Sequence, residues 1–512
     1  MTMKREAFLL AALAVPTAAF AQRGARVAAS DTAPMHAAAV SAPAEVHVTT
    51  QHTTTIGGQR IDYDATVGSI IIRNAKDEPT GEIYYTAYTK RGVTDDTRRP
   101  LMFAYNGGPG SSSFWVHMGL LGPKRVSVPD TAHASPPPYK LVDNEYSMLD
   151  KADLVFIDPV GTGYSKPIGV GKGSDFWGVD QDANSLAQFV IRYLSETDRW
   201  NSPRYIMGES YGTTRSAALS AVLQRRSVDL NGVILLSSVL DFQTITFDPG
   251  NDEPFILYLP SYAAVAWYHN AIPNKPAQLR PFLKEVEHFA THEYATALFQ
   301  GDNLSDAERG TILDKLHAYT GLSRDYLAKA DLRVTASQFE KELMREQGKV
   351  LGRLDARYTG QTGDPLAEDA SYDPQSADIS SAYASLFLNY MHVDLNYGRD
   401  KLYATSGNVN PWDWSHGQSR GWPGHTNVAT DLAQELMTNP KAHVLLNSGL
   451  YDLATPYFAA EWTMDHLGIP KEVRSQISFA EYESGHMVYV DVPSLAKFKA
   501  NVAAFIDRTS GQ

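Results

Sequence analysis

The chain has 512 residues, 43% of them apolar, and a formal net charge of -13 from 58 acidic and 45 basic side chains. That length suits about three domains of ordinary size, or one large domain with an insertion, and it can bury a sizeable core. The acidic balance disfavours nucleic-acid binding, and the absence of cysteine excludes disulfides, thiol catalysis and thiolate metal sites.

The chain opens on "MTMKREAFLLAALAVPTAAFAQ", with Lys4 and Arg5, an apolar stretch and Ala19-Phe20-Ala21. This is the layout of a secretory signal peptide over residues 1–21, with cleavage expected after Ala21. The apolar stretch is short and broken by Pro16, and no later run reaches transmembrane length. The expectation is an exported protein, periplasmic or secreted, without a transmembrane anchor. Residues 22–45, rich in Ala, Ser and Thr, read as a flexible linker.

Strand signals then follow one another. "SIIIRN", "GEIYYTAYTK" and "LMFAYN" are separated by Gly, Pro and charged turns. "LVFIDP" and "GVILLSS" are short apolar runs suited to buried parallel strands. "SLAQFVIRYLSET" and "TTRSAALSAVLQRR" have helical character, and "RYIMGES" reads as strand then turn. Alternating strands and helices predict an α/β fold with a mostly parallel sheet. From about residue 242 the pattern turns helical, and Ser305 with Glu308 has capping-box spacing. Residues 352–380 read as loop. Strand signals return at "HVLLNSG" and "QISFAEY". The expected organisation is a core over 46–241, a mainly helical cap insertion over 242–390, and a second core part over 391–512.

"GESYG" (208–212) is a G-x-S-x-G pattern between a predicted strand and a predicted helix. Such a turn exposes its serine above the sheet, and the glycines make room for it. Ser210 is the candidate nucleophile. Asp452, after "HVLLNSG", and His486, after "QISFAEY", are the candidate acid and base, in the required order at strand ends. His486 would take the Ser210 proton, and Asp452 would fix the imidazole. The N–H of Tyr211 is one natural oxyanion donor, and the turn "YNGGPGSSS" (105–113) is placed to supply another.

Together these segments resemble the serine carboxypeptidases, peptidase family S10, as a bacterial-type member without cysteines. "NGGPGSSS", "DPVGTGYS", "GESYG", "GLYDLATP" and "GHMV" are similar to family motifs and stand in family order. The resemblance implies an α/β-hydrolase fold with a mostly parallel central sheet and a helical cap. It implies an acid-active exopeptidase acting on peptide or protein C-termini, with no metal or cofactor. It implies Asn106, Gly107 and Glu209 as binders of the substrate's terminal carboxylate, and Gly108 and Tyr211 as oxyanion donors. There are departures: Ser111 where Cys is common, Leu120 where some members carry a second acid, and Tyr489 where Pro is usual after "GHMV".

Glu209 raises its own question, because two charged carboxylates repel. A protonated Glu209 could donate to the substrate carboxylate beside the Asn106 amide, which predicts an acidic preference. An esterase or acyltransferase on the same core is the alternative reading, and a binding protein on a dead hydrolase scaffold is a third. His288 and His292 lie four apart but lack the H-E-x-x-H pattern, so a solvated helix face is expected. "GVGKGSD" lacks the ending of a phosphate loop. Trp412 and Trp414 are expected to pack in the interior.

Overall fold

The computed structural model describes residues 42–417 and 424–511. The expected signal peptide, and the expected linker up to residue 41, lie outside them.

In chain order the strands are β1 (His47–Ile56), β2 (Gln59–Arg73), β3 (Pro79–Lys90), β4 (Leu101–Tyr105), β5 (Lys124–Ser127), β6 (Lys140–Asp143), β7 (Asp153–Ile157), β8 (Lys166–Pro167), β9 (Arg204–Glu209), β10 (Gly232–Leu236), β11 (Lys349–Leu351), β12 (Thr359–Gln361), β13 (His443–Gly449) and β14 (Ile477–Tyr482). The main sheet has the order β1-β2-β3-β7-β4-β9-β10-β13-β14, with β8 beside β3. The first three strands and the β3–β7 pair are antiparallel. From β7 to β14 every pairing is parallel. The crossed order β7-β4-β9 follows from the connections, since parallel neighbours need crossovers through helices.

Strand alternation decides which core each side chain joins. In β4, Met102 and Ala104 face one core, while Leu101, Phe103 and Tyr105 face the other. Helices Val179–Glu196, Tyr211–Arg225 and Ala429–Thr438 cover the second face. Helices Pro374–Val393 and Val492–Thr509 cover the first. Both faces are therefore closed, which is why the parallel strands read as unbroken apolar runs. Each large aliphatic or aromatic side chain taken fully from water there contributes about 1.5–3 kcal/mol.

The helical region has a core of its own. Helices Glu253–Tyr268, Leu279–Phe289 and Asp306–Thr320 pack with shorter ones, and Ser305 and Glu308 form the capping box. This third core also takes in Leu450, Tyr451, Leu453 and Tyr457, which flank Asp452. The segment expected to be loop up to residue 380 is helical from Pro374. Asp373 caps that helix by accepting from the Ser376 N–H at 2.7 Å. Its first turn, Pro-Gln-Ser-Ala-Asp, carries no apolar period, so only the part from Ile379 onward could be seen as helix. The helix runs on to Val393, past the cap boundary expected at 390.

Between β11 and β12 a short strap, residues 352–358, reaches back to the core. The Leu453 N–H donates to the Arg353 carbonyl at 3.0 Å, and the Ala356 N–H to the Tyr451 carbonyl at 3.0 Å. On its other side, the His486 N–H donates to the Leu354 carbonyl at 2.7 Å, and the Gly485 N–H to Asp355 Oδ2 at 3.1 Å. Asp355 is wholly buried and paired with Arg357 at 2.6 Å. Arg357 also reaches Asp130 and the Ser484 hydroxyl. Removing Asp355 leaves the buried Arg357 with only the partly exposed Asp130 as counter-charge. Asp355→Ala is therefore expected to lower unfolding stability by about 3 kcal/mol, read as a lowered urea midpoint. A midpoint equal to the wild type would show that the strap is not held by this pair.

Candidate active site

Ser210 stands between β9 and the helix Tyr211–Arg225 with φ 61° and ψ -131°. A non-glycine residue keeps that conformation only where its surroundings force it. Here the surroundings are three glycines. A Cβ on Gly208 would lie 2.0 Å from the Gly212 carbonyl oxygen, and a Cβ on Gly107 would lie 2.4 Å from the Tyr211 nitrogen. One on Gly212 would crowd the Tyr105 carbonyl at 3.1 Å. The helix behind the turn is buried from Tyr211 to Leu223, and its small residues let it lie close under the sheet. The Ser210 N–H donates to the Leu236 carbonyl of β10 at 3.0 Å, which ties the turn to the sheet.

The glycine loop after β4 lies against this turn. Gly108 has φ +106°, in the region glycine favours. The N–H groups of Gly108 and Tyr211 have no protein acceptor among the described residues. Beneath the loop, Arg215 is buried and binds Asp182 at 2.6 Å. Arg215 also donates to the Asn106 carbonyl at 2.6 Å, and its guanidinium lies 5.3 Å from the Tyr211 ring centre. One buried ion pair thus joins loop and turn from below. Trp412 and Trp414 meet the same Tyr211 ring edge-on, at 5.3 and 5.9 Å. Trp414 remains 44% exposed, contrary to the expectation of interior packing, because its ring covers Tyr211 from the surface.

Asp452 and His486 meet directly. His486 Nδ1 lies 2.7 Å from Asp452 Oδ2. The carboxylate is fully buried and also accepts from the Ala454 and Thr455 N–H groups and the Thr455 hydroxyl, at 2.8, 3.0 and 2.8 Å. Four donors therefore fix its orientation. With Nδ1 engaged, Nε2 is the acceptor of the neutral ring. The Ser237 hydroxyl holds the His486 carbonyl at 2.7 Å. Burial works against charging His486, but the Asp452 carboxylate, by charge and hydrogen bond, and then Glu209 outweigh it and raise its pKa above the ordinary value. Among the described residues Ser210 Oγ makes no hydrogen bond to His486. Such bonds are often long without substrate.

Glu209 and Asn106 are brought together. The Val116 N–H donates to Asn106 Oδ1 at 3.0 Å, so the amide end, Nδ2, faces Glu209 Oε2 at 3.2 Å. Burial pushes the Glu209 carboxyl up to about 7, although the His486 charge and bonds from Tyr489 and Asn106 oppose this. The Tyr489 hydroxyl lies 3.2 and 3.1 Å from the two carboxyl oxygens. Leu120 is buried and carries no polar side-chain atom.

Sequence reasoning missed Thr455, Asp182, Arg215 and the strap pair Asp355–Arg357. Arg215 had a visible signal, a charge in the small-residue first half of a helix whose other charge, Arg225, sits at its end. The others had none within their own segments. His288 and His292 stack with ring centres 4.0 Å apart on the helical region, and no candidate metal-binding group among the described residues includes them.

A family profile described as serine carboxypeptidase matches residues 73–491. A pheromone-processing carboxypeptidase, KEX1, of Leptosphaeria maculans is 30% identical over 152 residues, 29% of this chain and 22% of that protein. Serine carboxypeptidase-like 36 of Arabidopsis thaliana is 28% identical over 170 residues, 31% of this chain and 32% of that protein. The matched segments thus span about a fifth to a third of these relatives. The crystal structure of a prohormone-processing carboxypeptidase, KEX1(delta)p, of Saccharomyces cerevisiae superposes with TM-score 0.56 at 18% identity, covering 87% of this chain and 92% of that one. That likeness establishes the α/β-hydrolase fold with its mixed, mostly parallel sheet. The profile covers most of the chain, and the chain belongs to the serine carboxypeptidase family, peptidase family S10.

Proposed function

We propose that this protein is an exported serine carboxypeptidase that removes single residues from peptide C-termini, with an acidic preference. The observation that carries the reading is a buried glutamic acid next to the elbow serine, facing the Asn106 amide. An ordinary esterase has no need for a carboxyl group there. A carboxyl group that holds its proton can donate to a substrate carboxylate. Export rests on the leader-like order of residues 1–21 alone.

In this mechanism the peptide's terminal carboxylate lies between Asn106 Nδ2, the Gly107 backbone and protonated Glu209. That places the last peptide bond over Ser210. His486 Nε2 takes the Ser210 proton as Oγ attacks the carbonyl carbon. The N–H groups of Gly108 and Tyr211 stabilise the oxyanion. His486 then protonates the leaving amino acid, and water, activated by the same imidazole, releases the acyl group. Asp452 holds the ring and stabilises its charged form.

The pH dependence follows from proton count. A peptide's terminal carboxyl is ionised above about 3.5. Glu209 holds its proton up to about 7. Between those limits the pair carries one negative charge and one proton, which is the state that binds. Loss of the proton also leaves a charge that strengthens the hold of His486 on its own proton. The Michaelis constant for a free-acid peptide is expected to be level in acid and to rise about tenfold per pH unit above about 7. In Glu209→Gln, which donates at every pH, that rise should vanish. A constant level from pH 5 to 9 in the wild type would remove Glu209 from carboxylate binding.

Mass analysis of a peptide digest at acidic pH should give a ladder that loses one C-terminal residue per step. Ser210→Ala should abolish it, and a C-terminally amidated peptide should resist. Cleavage of ester and amidated substrates as readily as the free acid would favour the esterase reading. Asp452→Asn should lower kcat by about 10³–10⁴-fold, because it disturbs the imidazole tautomer. A loss under tenfold would mean that another acid orients His486.

A further inference from the structure

Glu209 is held by two side-chain donors among the described residues, and they are not equivalent. Asn106 reaches Oε2 alone, at 3.2 Å. Tyr489 lies within 3.2 Å of both oxygens. Its ring has a prepared seat: a Cβ on Gly119 would fall 2.3 Å from Tyr489 Cδ2 and 2.8 Å from the Tyr383 hydroxyl. The missing side chain at Gly119 is therefore the space that the tyrosine fills. The ring is 3% exposed, so its hydroxyl depends on the protein for partners. The other groups acting on Glu209 are His486, on the same loop as Tyr489, and Asp452, on the loop after β13. Tyr383, on the helix Pro374–Val393, also faces it.

We propose that Tyr489 is a positioning residue for Glu209: its hydroxyl fixes the plane of the carboxyl group that meets the substrate's C-terminus, and by donating to the ionised form it sets the upper pH limit of substrate binding. The inference rests on the carboxylate-binding reading of Glu209. A hydrogen bond from an O–H stabilises a carboxylate more than a carboxylic acid. The tyrosine therefore lets Glu209 lose its proton earlier than burial alone would. Its removal has two opposite effects. The carboxyl group loses orientation, so binding weakens in acid. It also keeps its proton longer, so binding persists to higher pH.

Tyr489→Phe keeps the ring on Gly119 and removes only the hydroxyl. For a free-acid peptide, its Michaelis constant in acid should rise about threefold or more, from the loss of one hydrogen bond. The pH at which that constant turns upward should move up by about one unit. A merely structural tyrosine would not produce an upward shift. Gly119→Ala, which displaces the ring, should move the turning point in the same direction and serves if the first variant fails to fold. Infrared titration of the Glu209 carboxyl, assigned by its loss in Glu209→Gln, should show the same upward shift without substrate. An unchanged or lowered turning point overturns the proposal, as does an unshifted infrared titration. The wild-type comparison of free-acid and amidated peptides separates the two levels. If the wild type does not discriminate, the carboxylate-binding reading falls and this inference falls with it. If it discriminates while Tyr489→Phe keeps the wild-type turning point, only the role of Tyr489 falls.

Discussion

The structure depends on one close approach, the glycine loop after β4 lying directly on the turn that carries Ser210. With 2.4 Å between the Tyr211 nitrogen and the place a Cβ on Gly107 would take, no side chain fits between the two backbones. The same contact packs the Gly107 backbone against the Tyr211 N–H, directly behind the strained serine. Strain of this kind costs of order 1–3 kcal/mol and persists only where the neighbours over-determine it. The neighbours here are β10 through the Leu236 carbonyl, and Arg215 and Asp182 beneath the loop. Ser210 and the Gly108 and Tyr211 N–H groups are thus placed by packing, not by mobile side chains.

A second feature is the sharing of charge among buried groups. Asp452, His486 and Glu209 lie within electrostatic reach of one another, and each of the three is under 4% exposed. Two carboxyl groups and one imidazole cannot all be charged there cheaply. In the proposed mechanism Glu209 holds its proton while the neutral His486 ring waits to accept one from Ser210. In that mechanism, raising the pH takes the proton from Glu209, and the charge left behind makes His486 a stronger base. On the proposed mechanism, binding and base strength respond to the same event, and the pH profile belongs to the cluster rather than to one residue.

The α/β core was legible because parallel strands buried on both faces must be continuous apolar runs, as in "LVFIDP" and "GVILLSS". The candidates Ser210, Asp452 and His486 were legible because their chemistry needs particular residue types at strand ends. Contacts between distant segments left no such mark. Tyr489 was visible only as a departure after "GHMV"; that its hydroxyl meets Glu209 depends on space left by Gly119, far away in the chain. Asp355 and Arg357 lie in a stretch that reads as loop, because a strap held by backbone bonds and ion pairs has no periodicity. Trp414 was misjudged since an aromatic ring can shield a buried tyrosine while keeping one side in water.

The strap has a consequence for how this protein can diversify. The loops of Asp452 and His486 are stitched together by residues that belong, in sequence, to the insertion. A lid that only covered a site could be exchanged whole between relatives. Here the base of the insertion is also a frame for Asp452 and His486. The helices from Glu253 to Glu342 pack around a core of their own, while residues 352–358 keep their backbone register with Tyr451, Leu453, Gly485 and His486. Chimeras that splice new helices onto this protein should place their junctions before the strap, leaving it with the sheet it serves.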